Sequence, residues 1–200
     1  HRIMKKIKIY CIITARPSYS RVKALLDELK NDDSFELELI VTSSALIEKN
    51  GKVVDFIKRD GFNVYAEVHT ILESSTLANS VRSVGMALFQ LPSIVREMNP
   101  DAIITIADRY ETISNAITSS YMNIPLIHIQ GGEVSGSIDN KVRHAITKLS
   151  DIHFVSTELS RERVVKMGEN PKKVFNTGCP SVDLARIVDL ETKNYYDLLS

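Results

Sequence analysis

Short, β-rich apolar runs recur along this chain, each followed by a helical pattern, and that alternation admits few folds: it is the signature of βαβ units laid into a parallel sheet. The first run, Ile7-Lys8-Ile9-Tyr10-Cys11-Ile12-Ile13, is followed by a turn at Arg16-Pro17-Ser18 and by Val22, Leu25, Leu26 and Leu29 at helical spacing. A second strand is predicted over 36–41, and its polar alternation places it nearer a sheet edge than the first. Asn50-Gly51 and Asp60-Gly61 bracket a short helix containing Val53, Val54, Phe56 and Ile57, and a third strand is predicted over 62–68. Ser75 or Thr76 caps a long helix reaching Met98, which Pro92 should bend or split and Asn99-Pro100 should stop. Further strands are predicted over 102–106, 126–129, 152–155 and 174–176, with helices through Ile113, Ala116 and Ile117, over 140–149 and over 158–167. The expected architecture is α/β: a Rossmann-like, doubly wound parallel sheet of about seven strands, without fixed-period repeats.

At 200 residues the chain suits one domain, since a single core commonly serves about 100 to 200 residues. Lys plus Arg and Asp plus Glu both number 25, so the formal net charge is zero; this argues against a nucleic-acid binder or a polybasic membrane binder and leaves a small ligand or a locally held anion. No apolar run approaches the roughly 20 residues of a bilayer span and no charged-then-apolar leader opens the chain, so a soluble cytoplasmic protein is expected. Cys11 and Cys179 are too few for a disulfide framework or a CxxC metal site. Residues 1–3, ahead of Met4, read as an expression scar. The last residues, from Asn194 to Ser200, end without a Gly or Pro stop signal, as a shortened chain would.

In an open parallel sheet, ligands bind beyond the carboxyl ends of the strands. That rim holds Arg16, Asp108 with Arg109, the stretch from Gln130 to Glu133, Ser156 and Gly178. Arg16 stands where a dinucleotide-binding chain would carry G-x-G-x-x-G; it either grips a phosphate through its guanidinium fork or stabilises the turn before Pro17. Asp108 either caps the following helix and pairs with Arg109, or is desolvated enough for proton transfer. Asp139 offers the same choice, capping its helix and pairing with Arg143 four residues on. The run Gly131-Gly132-Glu133-Val134-Ser135-Gly136-Ser137 presents backbone N–H groups to an anion or a sugar hydroxyl, and lacks the Gly-Lys-Ser/Thr ending of a Walker A loop. His1, His69, His128, His144 and His153 show no metal-ligand spacing; His128 is expected as a hydrogen-bonded core residue and His144 on a helix surface or against a loop.

Three segments together carry a resemblance. They are Thr14-Ala15-Arg16-Pro17; Asp108-Arg109-Tyr110-Glu111; and His128-Ile129-Gln130-Gly131-Gly132-Glu133-Val134-Ser135-Gly136-Ser137-Ile138-Asp139, continued by Val142-Arg143-His144-Ala145-Ile146-Thr147-Lys148-Leu149-Ser150. They resemble the hydrolysing UDP-N-acetylglucosamine 2-epimerases of sialic-acid and legionaminic-acid biosynthesis. Thr177-Gly178-Cys179-Pro180-Ser181-Val182-Asp183 is similar to the point where that family leaves its first domain. The resemblance spans residues 4–190 and implies the first half of a two-domain GT-B-like enzyme. It makes 4–180 the N-terminal Rossmann-like domain and 181–200 a helix leading toward a C-terminal domain that is missing here. The active site would lie in the cleft between the domains, and the fragment alone would bind UDP weakly and catalyse little.

By that resemblance, UDP is eliminated across C1–C2 of the sugar, and water adds to the glycal to release the free 2-epimer. Asp108 and Asp139 match catalytic carboxylates, with the steps undivided between them. Arg16 would lie near the diphosphate, and Arg109, Gly131, Gly132, Ser135, Arg143 and His144 belong to the substrate site. No metal or redox cofactor is implied, the partner is a UDP-sugar, and a homodimer is expected through the exposed apolar residues of the helix over 76–98. Gln130 departs from the pattern, because many sialic-acid-type members carry Glu there and an amide is no carboxylate base. Either Glu133 takes over the charge, or the substrate is a 2,4-diacetamido-2,4,6-trideoxy sugar. Two other readings keep the same fold: a GT-B glycosyltransferase, which would pass the sugar to an acceptor, and a noncatalytic nucleotide-sugar sensor, which would be indifferent to Asp108→Asn and Asp139→Asn.

Overall fold

The computed structural model describes residues 5–47, 52–70, 76–106, 109–136, 138–180 and 182. The expected scar over 1–3, Ser75 as a cap, Asp108, and the helix over 181–200 apart from Val182 lie outside the described residues. The chain runs β1 (Ile7–Ile13), α1 (Arg16–Asn31), β2 (Phe35–Thr42), α2 (Val53–Arg59), β3 (Val64–Val68), α3 (Leu77–Met98) and β4 (Ala102–Ile106). It continues with α4 (Ile113–Tyr121), β5 (Leu126–Ile129), α5 (Ile138–Leu149), β6 (Ile152–Val155), α6 (Glu158–Lys166) and β7 (Val174–Asn176).

The seven strands form one parallel sheet in the order β3-β2-β1-β4-β5-β6-β7. β2 is therefore one place nearer the edge than β1, as its polar alternation indicated. Order grows outward in one direction from β1 and in the other from β4. With right-handed crossovers, this puts α1 and α2 on one face and α3, α4 and α5 on the other. Side-chain alternation makes both faces core: Ile9, Cys11 and Ile13 of β1 pack with Val22, Leu26, Val53 and Ile57. Tyr10 and Ile12 face Ala87, Leu91, Val95 and Met98 of α3. Each of the fully buried aliphatic side chains stabilises the fold by about 1.5–3 kcal/mol relative to exposure.

The helix ends follow from local chemistry. Thr76 Oγ1 accepts the Asn79 N–H at 3.2 Å and caps α3, while Asn99, left-handed at φ 48, ends it before Pro100. α3 is not split at Pro92; it runs as one helix, with Leu91 and Val95 on either side of the proline wholly buried against the sheet. β3 begins two residues later than the sequence suggested, because Phe62 reaches the core from the turn after α2 and not from a strand. Among the described residues, no helix is long and apolar enough to cross a membrane.

Candidate active site

The carboxyl ends of β1, β4, β5 and β6 are adjacent in the sheet, and the residues following each carry a buried polar atom without a hydrogen-bond partner among the described residues. These are Ser18 Oγ in the first turn of α1, Glu111 Oε1 after β4, Gln130 Oε1 after β5 and Ser156 Oγ after β6. Buried polar atoms are nearly always satisfied, and these four exceptions follow neighbouring strands, while the other unpartnered buried atoms among the described residues belong to Asn115, Thr118, His128, His144 and His153. β1 and β4 are the neighbours from which the strand order diverges, which is where open α/β sheets form their crevice.

The loop after β5 is fixed by its glycines. Gln130 itself is left-handed, at φ 62, and its N–H donates to the Phe154 carbonyl at 2.8 Å. Its side chain is buried, with Nε2 donating to Cys179 Sγ at 3.6 Å and Oε1 left over. A β-carbon on Gly131 would stand 2.9 Å from His128 Nδ1 and 3.1 Å from Thr147 Oγ1. One on Gly132, at φ +77, would stand 2.5 Å from the Ser160 carbonyl oxygen. The two glycines thus press the loop against α5 and α6, and both are buried. Their side-chain space is taken by protein.

Two arginines then hold the loop's carbonyls. Arg143, 6% exposed, donates from Nη1 to the Glu133 carbonyl at 3.0 Å, to Asn140 Oδ1 at 3.2 Å and to Ser135 Oγ at 3.5 Å. Arg163 donates to the Gly132 carbonyl. Asn140 Oδ1 also accepts the Ser135 N–H at 2.6 Å. Asn140 and Arg163 were not singled out in the sequence, where each looks like an ordinary surface residue, and Glu111 was quoted only within the motif from Asp108 and given no part.

Of the predicted site residues, Asp139 lies half-buried in the first turn of α5, one turn before Arg143, and Glu133 is half-buried in the loop. His144 is half-buried with Nδ1 enclosed and without a partner among the described residues; burial and then the Arg143 and Arg163 charges lower its pKa, so it is a neutral imidazole at neutral pH. Arg109 pairs with Glu111, Nε to Oε2 at 3.2 Å. Arg16 opens α1, whose N-terminus has no side-chain cap, and its guanidinium lies 5.7 Å from the centre of the Phe56 ring, which Arg59 also covers at 4.6 Å. These line a cavity of about 250 Å³ with Tyr19 and Asp60. A second cavity of about 350 Å³, mostly apolar, opens beside Gln130 between Leu25, Phe154 and Pro180.

His128 is a core residue, with Nδ1 3.2 Å from Thr147 Oγ1 and its pKa pushed down to about 3, chiefly by burial. Among the described residues no three His, Cys, Asp or Glu groups are gathered as a metal site, and Cys11 and Cys179 are both free.

Residues 27–199 match the family model described as UDP-N-acetylglucosamine 2-epimerase. The chain is 33% identical over 176 residues to the UDP-N,N'-diacetylbacillosamine 2-epimerase (hydrolyzing) of Legionella pneumophila, covering 88% of this chain and 47% of that protein. It is 31% identical to the UDP-N-acetylglucosamine 2-epimerase of Neisseria meningitidis, covering 96% and 51%. The chain thus spans about half the length of these relatives. In fold it is similar to the crystal structure of the Neisseria meningitidis UDP-GlcNAc 2-epimerase bound to UDP-GlcNAc, with a TM-score of 0.78 at 18% identity over 93% of this chain and 50% of that one.

Proposed function

The chain belongs to the UDP-N-acetylglucosamine 2-epimerase family, and from that premise we propose that it is the nucleotide-sugar-facing N-terminal domain of a hydrolysing 2-epimerase. The observation that carries this reading is the row of unpartnered buried polar atoms along the β1-β4-β5-β6 rim, which includes Gln130 Oε1 inside the run from His128 to Asp139. The remaining half of such a protein supplies a second domain that closes over the rim and holds most of the nucleotide.

In the proposed reaction a base removes the C2 proton, the C1–O bond to UDP breaks, and the glycal then takes up water at C1 and a proton at C2. Asp108 and Asp139 do the acid and base work. Arg16, at the uncapped start of α1, and Arg109 face the diphosphate, where negative charge develops on the leaving group. Gln130 cannot take a proton and instead accepts a hydrogen bond from the sugar through Oε1. Glu133 stands by as a further carboxylate, and Ser135, His144 and the N–H groups of Gly131 and Gly132 complete the sugar's surroundings, while Arg143 keeps their loop in shape. The amide at position 130 favours a 2,4-diacetamido-2,4,6-trideoxy sugar, the type named in the Legionella relative, over UDP-N-acetylglucosamine.

The test is proton NMR in deuterated water with protein of full family length and both UDP-sugars. Release of UDP with deuterium at C2 of a free, manno-configured sugar is expected, faster from the diacetamido substrate. Sugar passed to an acceptor, or no turnover of either substrate, would sink the epimerase reading in favour of a glycosyltransferase or a noncatalytic sensor.

The protein further acts as a homodimer through α3. Leu77, Val81, Gly85 and Phe89 recur every fourth residue on its outer face, with Leu77, Val81 and Phe89 respectively 89%, 73% and 86% exposed. Nothing lies within 4 Å of a β-carbon placed on Gly85, so a second helix has room to cross there.

A further inference from the structure

Glu111 is 2% exposed in the one-turn helix Tyr110–Thr112 after β4, with Oε1 enclosed and without a partner among the described residues. An enclosed carboxylate is unfavourable unless it is well paired, yet the Arg109 side chain that pairs with it is 44% exposed. Such a pair is a poor device for stability. Its geometry suits something else. Arg109 approaches side-on through Nε, and its two terminal nitrogens have no partner among the described residues. They remain as a planar fork of donors, matched to a carboxylate or phosphate.

The turn that carries the pair is held in place. The Arg109 carbonyl accepts the Thr112 N–H at 3.1 Å, and Ser114 Oγ donates to the Glu111 carbonyl at 2.8 Å. Thr112 Oγ1 lies 3.4 Å from Thr14 Oγ1 at the end of β1, which ties the turn to the point where the strand order diverges. An arginine on such a mount, fixed by a buried acid and open at its outer face, is arranged to meet an anion at the rim.

We propose that Glu111 is a positioning residue: it holds the Arg109 guanidinium side-on so that its terminal face meets the diphosphate of the nucleotide sugar. The inference rests on the nucleotide-sugar reading for its ligand. It predicts that Glu111 acts only through Arg109.

The experiment compares wild type, Glu111→Gln, Arg109→Gln, Arg109→Lys and the Glu111→Gln/Arg109→Gln double variant in protein of full family length. UDP affinity is measured by calorimetry, kcat and KM on the UDP-sugar, and folding by thermal melt. Glu111→Gln and Arg109→Gln should each weaken UDP binding by about tenfold and lower kcat/KM on the UDP-sugar by at least as much, and Arg109→Lys should not rescue because a lysine lacks the fork. The double variant should match Arg109→Gln alone, since the two residues form one unit. Additive losses, or UDP affinity unchanged in a folded Glu111→Gln protein, overturn the proposal. If Glu111→Gln does not fold, the exposed Arg109→Gln decides, and unchanged UDP affinity there overturns it too. Absence of UDP binding to the wild type overturns this proposal and the family reading's substrate together. UDP binding that depends on both residues, without turnover of any UDP-sugar, would overturn the epimerase reading alone and support the role of Glu111.

Discussion

The main-chain oxygen of Ser160 occupies the space that a β-carbon on Gly132 would need, 2.5 Å away. Gly132 is also left-handed, at φ +77, and its carbonyl accepts from Arg163. Gly132→Ala therefore combines a backbone clash with an unfavourable φ and should destabilise the domain by about 3 kcal/mol. Urea unfolding checks this, and a variant within about 0.5 kcal/mol of wild type would show that α6 yields freely.

Tyr19 Oη donates to Asp60 Oδ2 at 2.5 Å, joining α1 to the end of α2 across the cavity that Arg16 lines. Burial and this bond raise the Tyr19 pKa, so the phenol keeps its proton through the ordinary pH range. Tyr19→Phe should cost about 1 kcal/mol and leave the Tyr19–Phe62 edge-to-face contact in place. A thermal melt indistinguishable from wild type would refute the bond's contribution.

His128 is held neutral in the fold, its pKa pushed down to about 3, while an unfolded histidine titrates near 6.5. Below the unfolded value the denatured chain binds a proton that the native one refuses, so stability falls as pH drops from about 6.5 toward about 3, by up to about 1.4 kcal/mol per pH unit from this group. Above that window His128 contributes no pH dependence. In His128→Gln this part of the acid slope should vanish, as read from denaturant midpoints at pH 7, 5.5 and 4.5; an unchanged slope would place the acid sensitivity elsewhere.

If α3 is the dimer contact, Phe89→Glu and Val81→Glu should each halve the sedimenting mass at micromolar concentration without changing the circular dichroism spectrum, because both side chains are largely solvent-exposed in the single chain. A wild-type monomer would remove the premise.

Replacing Gln130 with Glu should change the rate or the preference between the two UDP-sugars, since the buried Oε1 position would then carry charge. Equal rates and equal preference would leave Gln130 without a special part.

Several strand limits were legible because the apolar runs are sharply punctuated: β5 lies between Pro125 and Gln130, and β6 between Asp151 and Ser156. β3 was read too long because apolar periodicity does not separate a strand residue from one that enters the core out of a turn, which is what Phe62 does. At the site, the sequence marked Gly131 and Gly132 as special but suggested contact with a ligand. The structure adds a packing reason, against His128, Thr147 and Ser160, that no local pattern encodes. Arg143 was visible as a charge four residues after Asp139, whereas its hold on the Glu133 carbonyl depends on how a loop folds back over its own helix. Glu111 was quoted as part of a motif and given no part, because an acid after a strand looks the same in sequence whether it is hydrated or sealed beneath an arginine.

The stretch from Gln130 to Ser135 is pinned from within the protein by Arg143, Arg163 and Asn140. Association at this rim then has little main chain to order, and the entropy lost on binding falls mainly on the ligand and on whatever closes over it. The loop behaves as a mould cast in advance. Variants that loosen the clamp, such as Asn140→Ala, should show their effect as a more unfavourable binding entropy before any contact with the sugar is lost.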